Sequence, residues 1–273
     1  MIGVVAHPAR RGTRQVVERL RAASSSVATT SAEVVVTYTT PAHPGGEQAR
    51  RLLDAGAQRL VVVGGDGTVA QCAHALIEWI DECQPAVPPR LIPFPVGTAN
   101  LFWRNLVATF PPGPADVDVA RVTLHPSGST TTSLVAVGVG NSVRAIQRTP
   151  AQKRWWSYIL AGVRLWSWTG NLWTQEVGNI AGVPRRVRVF DSRLDSGSLC
   201  HTVFSPTTLA DWACAGAWAL GDGREPTAIR THVGESFDLD APHGLHVDGE
   251  VYTKVRGARV QVRPRALPVL IPA

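Results

Sequence analysis

The sequence predicts two architectures in one chain: an α/β N-terminal domain with a mostly parallel sheet, then a mainly antiparallel β region of the sandwich or barrel type. Three observations predict it. Over the first ~110 residues, β-branched runs alternate with segments of helical period, as repeated β–α units do. A PPGP cluster, Pro111–Pro114, then breaks the alternation and reads as a linker. Beyond it the signal is mostly short strand-like runs. These readings place one domain at 1–112 and a second, β-rich one at 113–262.

The elements follow in order. Ile2–Ala6 is an apolar, buried-strand run, and Thr13–Ala23 is a helix with Val16, Val17 and Leu20 inward. Glu33–Tyr38 is strand-like and Glu47–Ala55 helical. Leu60–Val63 and Thr68–Ile80 form the next strand–helix pair, Leu91–Phe94 and Thr98–Leu106 the last. In such sheets ligands bind beyond the carboxyl ends of the strands, so the strand-to-helix loops are where chemistry is expected. The second region offers strands at Val117–Leu124, Thr131–Val139, Arg186–Phe190, Leu199–Phe204, Ala228–Val233, Leu245–Val247, Val251–Val255 and Ala258–Val262, with one helix at Trp155–Trp173.

Composition narrows the function. The 273 residues are 44% apolar and 18% charged, an ordinary globular balance that excludes extended disorder and collagen-like structure. A net charge of +6 favours anionic partners without choosing among them. Of 27 Lys+Arg, only Lys153 and Lys254 are lysines, and no GxxxxGK[ST] is present. Walker-type NTPases and protein kinases, which hold phosphate with a lysine, are thereby disfavoured. Cys72, Cys83, Cys200 and Cys214 lack metal or disulfide spacing and read as reduced thiols. The start lacks a signal-peptide pattern, and no apolar run reaches the ~20 residues of a membrane span. A cytoplasmic protein able to visit a membrane surface is expected.

Three segments carry chemistry. Val61–Thr68 runs from β-branched residues into Gly64-Gly65-Asp66-Gly67-Thr68, followed by a helix. Glycines let the backbone approach a ligand, and free N–H groups at a helix start attract anions. Asp66 adds a carboxylate suited to a Mg²⁺ or a hydroxyl between it and a phosphate, and Thr68 is a cap or a phosphate donor. Pro93–Asn100 closes the next strand and opens a helix with Gly97, Thr98 and Asn100, either as a plain cap or as a second wall of the same cleft. His246–Tyr252 contains Asp248-Gly249-Glu250, a type I′ hairpin signal that also presents two carboxylates.

In this order and spacing the three segments resemble the diacylglycerol kinase catalytic family, which includes bacterial lipid kinases, sphingosine kinases and ceramide kinases. The matching motifs are GGDGT (Gly64–Thr68), P-x-G-T-x-N (Pro95–Asn100) and DGE (Asp248–Glu250), with weaker echoes at Gly138–Gly140 and Pro264–Leu270. GGDGT alone also occurs in NAD kinases and phosphofructokinases. The resemblance implies a Rossmann-like ATP-binding domain completed by 263–273, a β-sandwich lipid domain, and transfer of the γ-phosphoryl group of ATP to a hydroxyl of diacylglycerol or a related lipid. It implies ATP and Mg²⁺ as cofactors, Gly64–Thr68 as phosphate cradle, and Thr40, Gly97, Thr98 and Asn100 in the nucleotide pocket. Asp248 is the implied proton acceptor, and Glu250 and Asp66 place Mg²⁺ and substrate.

Several positions depart from the family pattern. His7-Pro8-Ala9-Arg10-Arg11-Gly12 stands where Asn-Pro-x-Ser-Gly is usual, and Ala70, Gln71, Leu101, Asn141 and Ser142 replace family side chains. In Asp195–Cys200, Ser196 and Cys200 replace two carboxylates of the segment that helps bind a structural Mg²⁺ in some bacterial members of the family, so that metal site is expected to be weak or absent here. A weak or inactive nucleotide- or lipid-binding relative, and a soluble-substrate kinase resembling NAD kinase, are the rivals. Five of the nine tryptophans fall at Trp155, Trp156, Trp166, Trp168 and Trp173, among Lys153, Arg154 and Arg164. That mixture suits a membrane–water boundary or a buried helix, and it is poor for nucleic acid. The expected partners are a lipid substrate at a membrane surface and ATP, with no nucleic acid. Homodimerisation is left open.

Overall fold

In a computed structural model, the described residues are 1–26, 33–97, 100–148, 174–178, 193–205, 208, 210–211, 213–214 and 227–272. The candidate helix Trp155–Trp173, the candidate strand Arg186–Phe190 and Thr98 lie outside them. The chain divides into two compact units, Met1–Asp118 with Arg265–Ala273, and Val119–Pro264.

In the first unit, β1 (Ile2–Ala6), β2 (Val34–Tyr38), β3 (Arg59–Gly64) and β4 (Arg90–Pro95) pair in parallel in the order β2-β1-β3-β4. Residues near the chain end add to β4 in parallel, with Val269 opposite Leu91. Burial of both sheet faces explains the continuous apolar runs. On one face, Val4, Ala6, Val61, Val63 and Ile92 pack with Val17 of α1 (Thr13–Ser26). On the other, Gly3 admits α2 (Gly46–Asp54) closely, because a Cβ there would meet Leu52 and Ala57 at 3.0–3.2 Å. The sheet directs four strand-to-helix loops to its carboxyl edge, ahead of α1, α2, α3 (Asp66–Cys83) and α4 (Leu101–Thr109).

The second unit is antiparallel. One sheet runs in the order β10-β9-β8-β7-β12-β13, from β10 (Ile229–Gly234), β9 (Leu199–Phe204), β8 (Thr174–Gly178), β7 (Val137–Gly140), β12 (Leu245–Val247) and β13 (Glu250–Tyr252). Antiparallel pairing also joins β5 (Gly113–His125) to β6 (Thr130–Ser133), and β11 (Ser236–Asp240) to β14 (Gly257–Ile271). Val122, Leu124, Val137, Val139, Leu199, Leu239, Leu245, Val247 and Val260 form one core between the sheets, which makes this unit a β-sandwich. The expected fold class is therefore the observed one: a mostly parallel sheet with flanking helices, then antiparallel sheets.

Four expectations change. Pro111–Pro114 is no free linker, because β5 begins at Gly113. The chain passes between units inside β5, after Asp118, and inside β14, after Pro264. The single run Thr131–Val139 is two strands, β6 and β7, in different sheets. The helix expected from Thr98 begins at Leu101, because Asn100 holds a left-handed backbone (φ 50°) that no helix tolerates. The structure adds β8, β11 and α5 (Asn141–Arg148), which the sequence reading lacked.

Candidate functional site

The glycine loop after β3 is built by close backbone packing. A Cβ on Gly64 would lie 2.7 Å from Cβ of Thr68, and one on Gly97 would lie 2.5 Å from Cα of Gly65. The loops after β3 and β4 therefore touch backbone to backbone, and Val96 N–H donates to the Gly64 carbonyl at 3.2 Å. The third glycine differs. Nothing lies within 4 Å of a Cβ on Gly67, and its φ is not positive. The fold itself does not require glycine there, and glycine early in a helix is a poor choice on propensity.

Helix α3 starts immediately. Its N-cap is Gly65, with no side-chain cap, and the first helical bond runs from Val69 N–H to the Gly65 carbonyl at 3.1 Å. The amides of Asp66, Gly67 and Thr68 precede that ladder, leaving donors and a positive dipole end at the loop. Thr68 is not the cap that the sequence offered. It is buried, with its side chain packed under Gly64 and near Gly45.

Two other expected ligand residues work first on the fold. Asp66 Oδ1 accepts the N–H of Phe102 at 3.0 Å, so its carboxylate caps the neighbouring helix α4. Asn100 closes its own loop in both directions: Oδ1 accepts from Gly97 N–H and Nδ2 donates to the Gly97 carbonyl, each at 2.9 Å. Thr40 is exposed just past β2, and its Oγ1 accepts the His43 N–H at 3.1 Å. Gly64, Gly65, Asp66, Gly67, Thr68, Gly97, Asn100 and Thr40 thus all belong to carboxyl-edge loops or helix starts of the first unit.

Asp248 and Glu250 belong to the second unit, on the β12–β13 hairpin. Asp248 (φ 49°) and Gly249 (φ 87°) form its two-residue turn, the left-handed pair that type I′ demands. The Asp248 carboxylate is held tightly. Oδ1 accepts from Ser133 Oγ at 2.7 Å, from Val135 N–H at 3.0 Å and from Ala136 N–H at 2.9 Å, while Oδ2 accepts from Leu134 N–H at 2.8 Å. Its own N–H donates to the Ala136 carbonyl at 2.9 Å. Three successive amides converging on one carboxylate form a nest, and they explain why Leu134–Ala136 leaves the strand pattern. Burial holds the carboxyl above its ordinary range, outweighing the four donors that act to lower it. The carboxylate implied as proton acceptor is thus also an anchor for the β6–β7 connection. Glu250 is exposed and, after burial, adds to the upward push on the Tyr252 phenol.

Among the described residues, no cluster of three or more His, Cys, Asp or Glu is placed to hold a metal ion. Asp66 already spends Oδ1 on α4. Sequence reasoning also missed Asp118, which lies inside the candidate strand Val117–Leu124. It is buried and accepts the Arg265 N–H at 2.9 Å, where β14 takes a left-handed step (φ 52°). No local pattern joins residues so far apart in sequence, so neither that contact nor the Ser133–Asp248 bond had a signal to find.

A parallel sheet with glycine-lined loops and open amides at its carboxyl edge, followed by a β-sandwich, defines a class of two-unit α/β proteins. Residues 2–144 match the diacylglycerol kinase catalytic domain, and the chain belongs to that family, which places it among the kinases. The fold is similar to a solved diacylglycerol kinase of Bacillus anthracis str. Sterne, with 14% identity and TM-score 0.62 over 98% of this chain and 96% of that one. Two further structures from that strain, described as candidate diacylglycerol kinases, align at 16% identity with TM-score 0.68 (98% and 96% covered) and 15% with TM-score 0.65 (99% and 96% covered). No curated protein matches the chain significantly.

Proposed function

We propose that the protein is an ATP-dependent lipid kinase that transfers the γ-phosphoryl group to a hydroxyl of diacylglycerol or a related lipid. The observation that carries the nucleotide half is Gly67, a glycine the fold does not need, beside the open amides of the α3 start. A phosphate drawn to those amides needs the space that a side chain would take. Gly64 and Gly65 let the loop turn, and Gly97 and Asn100 fix the neighbouring loop against it. Thr40 and Thr98 are assigned to the same pocket by the family resemblance. Phosphoryl transfer asks mainly for positioning and charge neutralisation, which such a cradle supplies. Mg²⁺ would accompany ATP as its counter-ion, as phosphoryl transfer requires.

The lipid half rests on family membership and on the tryptophan-rich, basic segment around Trp155–Trp173. Among the described residues no helix is long and apolar enough to cross a membrane. Proton acceptance at Asp248 falls to Oδ2, which takes one donor where Oδ1 takes three among the described residues. Glu250, exposed on the same hairpin, is the second carboxylate for placing the acceptor.

The anchored Asp248 also favours a second reading, a nucleotide- or lipid-binding relative with feeble turnover. One experiment separates them. Purified protein is incubated with MgATP and a mixed lipid extract, and the products are read by mass spectrometry. New phospholipid species carrying the γ-phosphate establish the kinase. ATP binding without any phosphorylated lipid establishes the binder.

A further inference from the structure

We propose that Arg10 and Arg11, on the loop after β1, supply the cationic grip on the nucleotide's phosphate chain. This deepens the kinase reading and rests on it. A polyanion held by amides alone leaves most of its charge uncompensated, and this chain has no lysine in its first unit. The four carboxyl-edge loops span residues 7–12, 39–45, 65 and 96–100, and the only arginines in them are Arg10 and Arg11. Their other cationic candidates are His7 and His43, and His43 is already engaged by Glu47.

The loop is anchored where it needs to be. His7 N–H donates to the Val63 carbonyl at 2.9 Å, one residue before Gly64. Thr13 Oγ1, at the start of α1, donates back to the His7 carbonyl at 2.9 Å, and Arg10 N–H reaches the same carbonyl at 3.3 Å. At the far end, a Cβ on Gly12 (φ 88°) would lie 3.9 Å from Val96 of the fourth loop. The segment carrying both arginines is thus pinned to the ends of β3 and β4, beside Gly64–Thr68.

The charges there are unspent. Elsewhere in this unit Arg14 pairs with Glu18, Arg50 with Asp54 and Glu82, Arg51 with Glu47, and Arg90 with Asp116. Arg10 and Arg11 are exposed, and among the described residues neither has an acidic partner. At the base of the same loop, the buried Nδ1 of His7 also has no hydrogen-bond partner among the described residues. Guanidinium forks match phosphate oxygens in pairs, so the arrangement suits the phosphate chain rather than the base or sugar.

Isothermal titration of the full chain with ATP, ADP, AMP and adenosine, each in Mg²⁺ buffer, tests this. In the Arg10→Ala/Arg11→Ala variant the ATP Kd rises by about tenfold or more, ADP loses less, and adenosine is unchanged. The salt dependence of ATP binding flattens in that variant, and Arg10→Lys/Arg11→Lys recovers part of the affinity. An unchanged ATP Kd in the double alanine variant overturns the proposal and leaves the kinase reading standing. So does an equal loss for ATP and adenosine, which would mean general damage to the pocket. A wild-type protein that binds none of the four overturns the kinase reading itself. Both side chains are exposed, and a melting temperature within error of wild type verifies that the variant folds.

Discussion

The glycine loop of the first unit and the acidic hairpin of the second use their motif residues in opposite ways. At Gly67 the fold leaves something unused: open space and helix-start amides with no intrahelical acceptor. At Asp248 the fold uses nearly everything, with four donors on one carboxylate and a left-handed backbone that only a few residue types accept. A motif residue that its fold does not need points outward to a ligand. A motif residue that its fold consumes points first to architecture, and any chemistry it performs is added to that duty.

The strongest test of this contrast is Asp248→Ala. It strands a hydroxyl and three backbone amides, each costing about 1 kcal/mol or more when left unpaired and shielded from water. A loss of roughly 4 kcal/mol is expected, read as a large drop in melting temperature. Asp248→Asn keeps Oδ1 but sets an amide against the Leu134 N–H, and it should lose about half as much. If both variants melt with the wild type while turnover falls, the carboxylate is a reagent and no anchor, and the contrast collapses. Next is Gly97→Ala. Its Cβ would sit 2.5 Å from Gly65 Cα and 2.6 Å from Asn100 Oδ1, so two loops must separate. A cost of about 2–3 kcal/mol follows, with nucleotide affinity lost alongside. Wild-type stability in that variant would deny the backbone-to-backbone contact.

Much of the first unit was legible because its signals are local. Val61–Val63 is β-branched and buried on both faces, and Gly64-Gly65 marks the turn, so strand, loop and helix follow from neighbours in sequence. The hairpin turn at Asp248-Gly249 was legible for the same reason. What stayed hidden is long-range. The split of Thr131–Val139 depends on a carboxylate more than a hundred residues away, and β-branched composition alone reads straight through it. Likewise Asp66 and Asn100 carry the right chemistry for ligands, but nothing local says that one caps α4 and the other closes its own loop.

A smaller effect bears on the second unit. His201 faces His232 directly across β9 and β10, with ring centroids 6.3 Å apart, and its buried Nε2 has no partner among the described residues. Burial first, and His232 second, lower its pKa from the ordinary value. The folded state therefore resists the proton that the unfolded chain accepts near pH ~6.5. Stability from this group is present above that pH and is lost as pH falls toward the lower folded value. Melting temperatures across that window should decline in the wild type and decline less in His201→Leu. Equal slopes in the two proteins would remove His201 from the account.

The finest test returns to Gly67, where fold and function make predictions of opposite sign. Alanine fits the helix better than glycine, and a Cβ there meets nothing within 4 Å, so Gly67→Ala should gain up to about 0.5–1 kcal/mol of stability. The same methyl group enters the space a phosphate would take above the α3 amides. The ATP Kd should therefore rise about tenfold or more, equivalent to roughly 1.4 kcal/mol. Thermal melting and nucleotide titration on one preparation read both numbers. A purely structural glycine cannot give a more stable protein that binds less ATP, because its replacement would weaken both or neither. A more stable variant with undiminished affinity would leave Gly67 without a ligand to explain it, and the cradle would have to be sought on another loop.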